Sequence, residues 1–169
     1  MTTHPKDALV RSVRTSDVHQ LAPRLRMIDR EEASAATGKS PLEALLIGVA
    51  RSPASYSVLL NGKVICIFGA SMSHIPGLGI PWLLASDDFY ELPLRLMKET
   101  PLWLSRISQP YSKLQNYVSA ENHKAIRWLQ WLGFEFQRKV ENFGGGPTTY
   151  WEFCMEVRQP SAKTLIRSI

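Results

Sequence analysis

Residues 114–136 read Leu114-Gln115-Asn116-Tyr117-Val118-Ser119-Ala120-Glu121-Asn122-His123-Lys124-Ala125-Ile126-Arg127-Trp128-Leu129-Gln130-Trp131-Leu132-Gly133-Phe134-Glu135-Phe136. Leu114 to Ser119 has strand length and composition. Asn122 is a helix cap, and Ala125, Ile126, Leu129 and Leu132 then recur at spacings of three and four, the stripe of a helix lying on a sheet. Gly133 is the residue type that ends such a helix. Phe134 to Val140 reads as the next strand. The stretch is a strand–helix–strand unit, which places this part of the chain in a layered α/β architecture.

Working outward, Thr149 to Val157 is a further strand, joined to Phe134–Val140 through Gly144-Gly145-Gly146-Pro147. Upstream, Gln109-Pro110 closes a helix expected over Phe89 to Ile107, with Asp87 or Asp88 as its cap and Pro101 kinking or interrupting it. Ile80 to Ala85 is an apolar run of strand length. Tyr56 to Leu60 and Lys63 to Met72 flank Asn61-Gly62, a pair suited to a two-residue hairpin turn. Ser40-Pro41 starts a helix carrying Leu42, Leu45, Leu46 and Val49. Glu31 to Lys39 loses periodicity and is expected to be a loop. Val18, Leu21, Leu25 and Ile28 form one stripe, with Pro23 inside it, after a strand at Leu9 to Arg14. The order β-α-α-β-β-β-α-β-α-β-β implies an α/β (α+β) fold. Its mixed, mostly antiparallel sheet has about seven strands and helices on both faces. No Gly-x-Gly-x-x-Gly follows a strand, so this is not a doubly wound nucleotide fold.

The chain has 169 residues, 44% hydrophobic and 21% charged, enough for one domain with its own core. One domain is expected over residues 1–157, followed by a basic tail at 158–169. The tail holds Arg158, Lys163 and Arg167 and no acid, and without it 17 basic residues face 15 acidic ones. A near-neutral body is not a nucleic-acid-coating surface. Cys66 and Cys154 lie far apart inside apolar runs, which argues against a disulfide framework or a thiolate metal site and for buried thiols in a reducing compartment. Met1 to Lys6 leads into no apolar segment, and no run reaches the ~20 residues of a membrane span. The expectation is a soluble chain with no secretory signal.

The Asn122…Ala125-Ile126-Arg127…Leu132-Gly133-Phe134 pattern resembles the strand–helix–strand unit of the GNAT N-acetyltransferases, and the whole-chain order agrees with that fold. A narrower likeness covers roughly Tyr56 to Val157. Trp82-Leu83-Leu84-Ala85-Ser86-Asp87, Leu114-Gln115-Asn116-Tyr117-Val118 and Ile126-Arg127-Trp128-Leu129 resemble the acetyltransferase-like internal virion proteins of short-tailed bacteriophages. That likeness implies a virion or assembly role, in the host cytoplasm during assembly or in the particle interior.

The family resemblance also implies three chemical requirements. Coenzyme A diphosphate is held by a glycine-bearing turn after the fourth strand, at a helix N-terminus. Here Ser86-Asp87-Asp88-Phe89-Tyr90-Glu91-Leu92-Pro93 has no glycine and carries three carboxylates. The family's proton donor, a Tyr four residues before the Gly, is Leu129. No base stands on Ile80–Ala85, and His74 and His123 read as loop residues. The expectation is therefore a catalytically silent protein with no catalytic residues, no cofactor and no metal. Its partners would be other phage proteins, met through Trp128 and Trp131, or packaged DNA, met through Arg158, Lys163 and Arg167. The alternative is an active N-acyltransferase binding acetyl-CoA at Leu84, Ala85, Ser86, Ser119 and Asn122.

Overall fold

The structure is a computed structural model and describes residues 7–159. Seven strands form one sheet: β1 (Ala8–Ser12), β2 (Ser55–Leu60), β3 (Lys63–Met72), β4 (Leu78–Ala85), β5 (Lys113–Ser119), β6 (Glu135–Val140) and β7 (Tyr150–Glu156). Their spatial order is β1-β2-β3-β4-β5-β7-β6. Every pairing is antiparallel except β4 with β5. The helices are α1 (Thr15–Leu21), α2 (Met27–Thr37), α3 (Pro41–Arg51), α4 (Leu94–Ser108) and α5 (His123–Trp131). The expected sheet and class are those observed.

Apolar clusters cover both faces of the sheet. Val18 and Leu21 of α1 and Leu45 of α3 pack on Ile67 and Leu84. On the other face Ile107 of α4 packs with Leu114, Phe134 and Phe153, against which Ala125, Ile126, Leu129 and Leu132 of α5 are laid. The stripe read from residues 114–136 is thus the sheet-facing side of α5. Asn61 and Gly62 take positive φ (50° and 78°) in the β2–β3 turn, which Asn and Gly tolerate. Ser40 caps α3 with Glu43 reciprocating.

Three expectations are corrected. Glu31–Lys39 is mostly helix: α2 runs to Thr37 and ends on Gly38 at φ 66°. Its inward side carries Asp29 and Ala33 rather than large apolar residues, so no hydrophobic period marks it. The stripe from Val18 to Ile28 is two helices, because Pro23 converts the chain to a short 3-10 turn at Ala22–Arg24. The helix expected from Phe89 is a 3-10 turn at Asp87–Glu91 followed by α4. Pro93 holds Leu92 extended (ψ 137°), so helical geometry begins only after it. Asp87 and Asp88 therefore do not cap α4. Pro101 leaves α4 a single element, and the carbonyl of Met97 that it strips of an N–H partner accepts the Thr100 hydroxyl at 2.7 Å.

Candidate functional site: the opening between two parallel strands

β4 and β5 pair only at Leu78–Lys113 and Gly79–Leu114, then diverge. Asn116 of β5 reaches back across the gap, donating from Nδ2 to the Pro81 carbonyl at 2.7 Å. Beyond that tie the opening widens. Ser86 N–H donates to Ile65 of β3, so by antiparallel alternation the peptide groups of Leu84 face β3 and those of Pro81, Leu83 and Ala85 face the opening. Pro81 has no N–H, and its carbonyl is taken. Ala85 donates to Asp29 Oδ2 at 2.8 Å and accepts from Arg26 N–H at 2.9 Å. Leu83 is left as the β4 residue whose peptide faces the opening with no strand beside it.

Helix α2 closes the wide end. Asp29, buried at 2% exposure, accepts from Arg26 Nε and Nη2 at 2.9 Å each besides the Ala85 N–H. Three residues on, Glu32 Oε1 accepts from Ser119 N–H at 3.0 Å and from Asn122 Nδ2 at 3.1 Å. One helix face thus grips β4 with one carboxylate and the end of β5 with the next, which is what i, i+3 spacing allows. Burial raises the proton affinity of both carboxyls, and their donors only partly offset it. Asn122 also caps α5 through Ala125 N–H.

On the α4–α5 side the opening is crossed by side chains of the 3-10 turn. The rings of Phe89 and Trp128 meet edge to face with centroids 6.5 Å apart. The Arg26 guanidinium lies over Phe89 (5.2 Å) and Tyr90 (5.4 Å) and donates to the Tyr90 hydroxyl at 3.2 Å. Lys124 Nζ of α5 sits 4.2 Å above the Tyr90 ring. The turn and α5, the two walls of the groove, are in direct contact.

Could the turn after β4 hold a diphosphate? The amides of Phe89, Leu92 and Leu96 already donate to Ser86, Phe89 and Pro93 carbonyls at 3.0, 3.3 and 3.0 Å. Pro93, at the start of α4, has no N–H. Asp88 is turned outward, its carboxylate 2.9 Å from Lys63 Nζ and 3.6 Å from Arg24, so its charge is balanced there. With those three amides spent, no glycine in the turn and Asp87, Asp88 and Glu91 all acidic at this helix start, the residues present fit a diphosphate poorly.

Among the residues singled out in sequence, Ser119 and Asn122 meet at Glu32. Leu84 points its side chain into the opposite core, and Ala85 and Ser86 are fully engaged, Ser86 with Ile65. Trp131 is 59% exposed on α5, whereas Trp128 turns into the groove rather than onto a surface. Leu129, where the resemblance expects a proton donor, stands in the groove wall. His123 starts α5 on its exposed side, and His74 sits in the β3–β4 turn; neither lines the opening. Arg158 is exposed; Lys163 and Arg167 lie outside the described residues. Both cysteines are buried and free, no metal-binding cluster exists among the described residues, and none of their helices is long and apolar enough to cross a membrane. Sequence reading missed Arg26, Asp29, Glu32 and Leu83. The Arg26…Asp29…Glu32 spacing was the available signal, hidden because no apolar period accompanied it.

Solved structures share this architecture. Ribosomal-protein-S18-alanine N-acetyltransferase from Escherichia coli matches at TM-score 0.65 and 16% identity, over 92% of this chain and 97% of that one. Ard1 from Thermoplasma volcanium matches at 0.66 and 14%, over 90% and 99%. Aminoglycoside acetyltransferase AAC(6')-Ib in complex with coenzyme A matches at 0.59 and 18%, over 96% and 99%. No family model and no curated protein matches the sequence. The chain has the GNAT acetyltransferase fold.

Proposed function

We propose that this chain is a GNAT-fold protein without acetyl-transfer activity that works as a virion-associated or assembly component of a bacteriophage. One observation carries the silent half of that reading: the groove that separates α4 from α5 is bridged by the chain's own Phe89, Tyr90, Lys124 and Trp128. The internally bonded amides of Phe89, Leu92 and Leu96 and the alkyl side chain of Leu129 support it. The phage setting rests on the resemblance carried by Trp82–Asp87, Leu114–Val118 and Ile126–Leu129. Trp131, exposed on α5, is the aromatic side chain offered to a protein partner, and Arg158, Lys163 and Arg167 are the groups offered to packaged DNA.

Calorimetric titration of the full chain with acetyl-CoA and with coenzyme A tests the silent half. No saturable heat up to millimolar ligand is expected, and a micromolar Kd at one site per chain would overturn it. Mass spectrometry of gradient-purified phage particles tests the setting: the chain is expected in the particle or its assembly intermediates, and its absence from both counts against that role.

A second reading, an active N-acyltransferase with acetyl-CoA held along β4, is favoured by the Leu83 peptide facing the opening and by Glu32 and Asn122 beside it. It predicts acetyl-CoA-dependent thiol release in the presence of an amine, which the silent reading does not.

A further inference from the structure

The positive charge of this chain is unevenly placed. Helices α4 and α5 carry five basic side chains, Arg95, Lys98, Arg106, Lys124 and Arg127, and one acidic one, Glu99. All other described residues together carry twelve basic and fourteen acidic side chains. Each of the five cations is exposed, and none forms an ion pair among the described residues. At about 100° per residue, Leu94, Arg95, Lys98, Leu102 and Arg106 share an arc of about 120° on α4, and Lys124, Arg127 and Trp131 one of about 60° on α5. The buried sides of both helices meet the same apolar cluster on one face of the sheet, so the two arcs make one outward surface. Arg106 lies over the Trp103 ring (4.5 Å) and Lys124 over the Tyr90 ring (4.2 Å), which lowers the entropy lost on fixing them against a partner. Among these cations Tyr90, Leu94, Leu102 and Trp131 are each more than half exposed.

A protein interface gathers its apolar residues into a core depleted of Lys and leaves charge to the rim. Here single apolar side chains alternate with cations. A nucleic-acid duplex would take the cations through its phosphates and leave Leu94, Leu102 and Trp131 in water. An anionic bilayer takes both kinds: Lys and Arg meet the headgroups, while Trp, Tyr and Leu enter the headgroup–acyl boundary. We propose that the outer surface of α4 and α5 is a peripheral docking surface for an anionic lipid bilayer. The inference goes beyond the reading above, since it needs neither the phage setting nor a groove closed to coenzyme A. It shares only Trp131 with that reading, and a Trp131 lodged in lipid is not free for a protein at the same moment.

Co-sedimentation of the full chain with lipid vesicles tests it. Phosphatidylcholine vesicles with about 30% phosphatidylglycerol are expected to bind the chain at low salt, and phosphatidylcholine alone not to bind it. Lys98→Gln with Arg127→Gln removes one cation from each helix. Among the described residues neither side chain makes a hydrogen bond, ion pair or ring contact, so the fold is expected to be kept, which circular dichroism checks. The pair is expected to lower the partition coefficient about 25-fold, about fivefold for each cation. The same loss of charge from the tail, Lys163→Gln with Arg167→Gln, is expected to cost less. Trp131→Ser keeps every charge and is expected to weaken vesicle binding severalfold. Duplex DNA at equal phosphate concentration is expected not to displace the vesicles. Displacement by DNA, no binding to anionic vesicles, a loss from the tail pair as large as from the helix pair, or unchanged vesicle binding in Trp131→Ser overturns the surface.

Discussion

Asp17 is the charged side chain most fully tied into the fold. It is 3% exposed and takes two bonds from Arg11 (2.6 and 2.9 Å), the Ser57 hydroxyl at 2.7 Å and the Arg14 N–H at 2.8 Å. Burial works against its charge, but these donors win and hold its pKa below the usual carboxylate range. Asp17→Ala strips Arg11 of its partner and is expected to cost about 3 kcal/mol in urea unfolding. Because the folded pKa is depressed, the contribution is present above the unfolded carboxyl pKa and lost as pH falls through the folded value, so the gap between wild type and variant narrows in acid. Glu32 has the opposite sign. Its pKa is raised by burial, so the fold is penalised above that value and regains stability as pH drops through it toward the unfolded pKa. Glu32→Gln keeps an acceptor for Ser119 N–H without the charge. It is expected to equal or exceed wild type in Tm at pH 8 and to lose that advantage by pH 5; an advantage growing toward acid would contradict the assignment. Glu32 does not stand out in the sequence, since its partners are 87 and 90 positions away.

At the scale of elements, what was legible followed from local signals. The α5 stripe, its Asn122 cap, the Asn61-Gly62 turn and the Ser40 cap each fix an element with neighbouring residues alone. Helix α2 was not legible because tertiary contacts with β4 and β5 select its inward face, and those contacts are polar. The start of α4 was misplaced by two acidic residues that resemble a cap, while Pro93 a few residues later sets the boundary. The junction that starts the β4–β5 divergence is packed without slack: a Cβ on Gly79 would lie 2.5 Å from the Tyr111 ring, which is itself held through its hydroxyl to Ala70 O at 2.8 Å. Gly79→Ala is expected to cost about 1–3 kcal/mol by overpacking, readable as a fall in Tm. Asn122→Ala removes a cap and one donor to Glu32, and about 1 kcal/mol should be lost.

For the whole molecule, the fold class and the mixed sheet were readable from the order of elements, and the likeness to acetyltransferases from the Asn122…Phe134 pattern. The contacts across the groove were not, because they depend on Phe89 and Tyr90 meeting α5 and Arg26 across tens of residues. Under the proposed reading, the Phe89–Trp128 and Lys124–Tyr90 contacts across the groove keep a nucleotide-bearing thioester out. Backbone amide spectra of the full chain during addition of acetyl-CoA test that claim most directly. The amides of Leu83 and Phe89 and the Trp128 indole N–H are predicted to stay unmoved up to millimolar acetyl-CoA. Saturable shifts of those three signals at micromolar concentrations would contradict it.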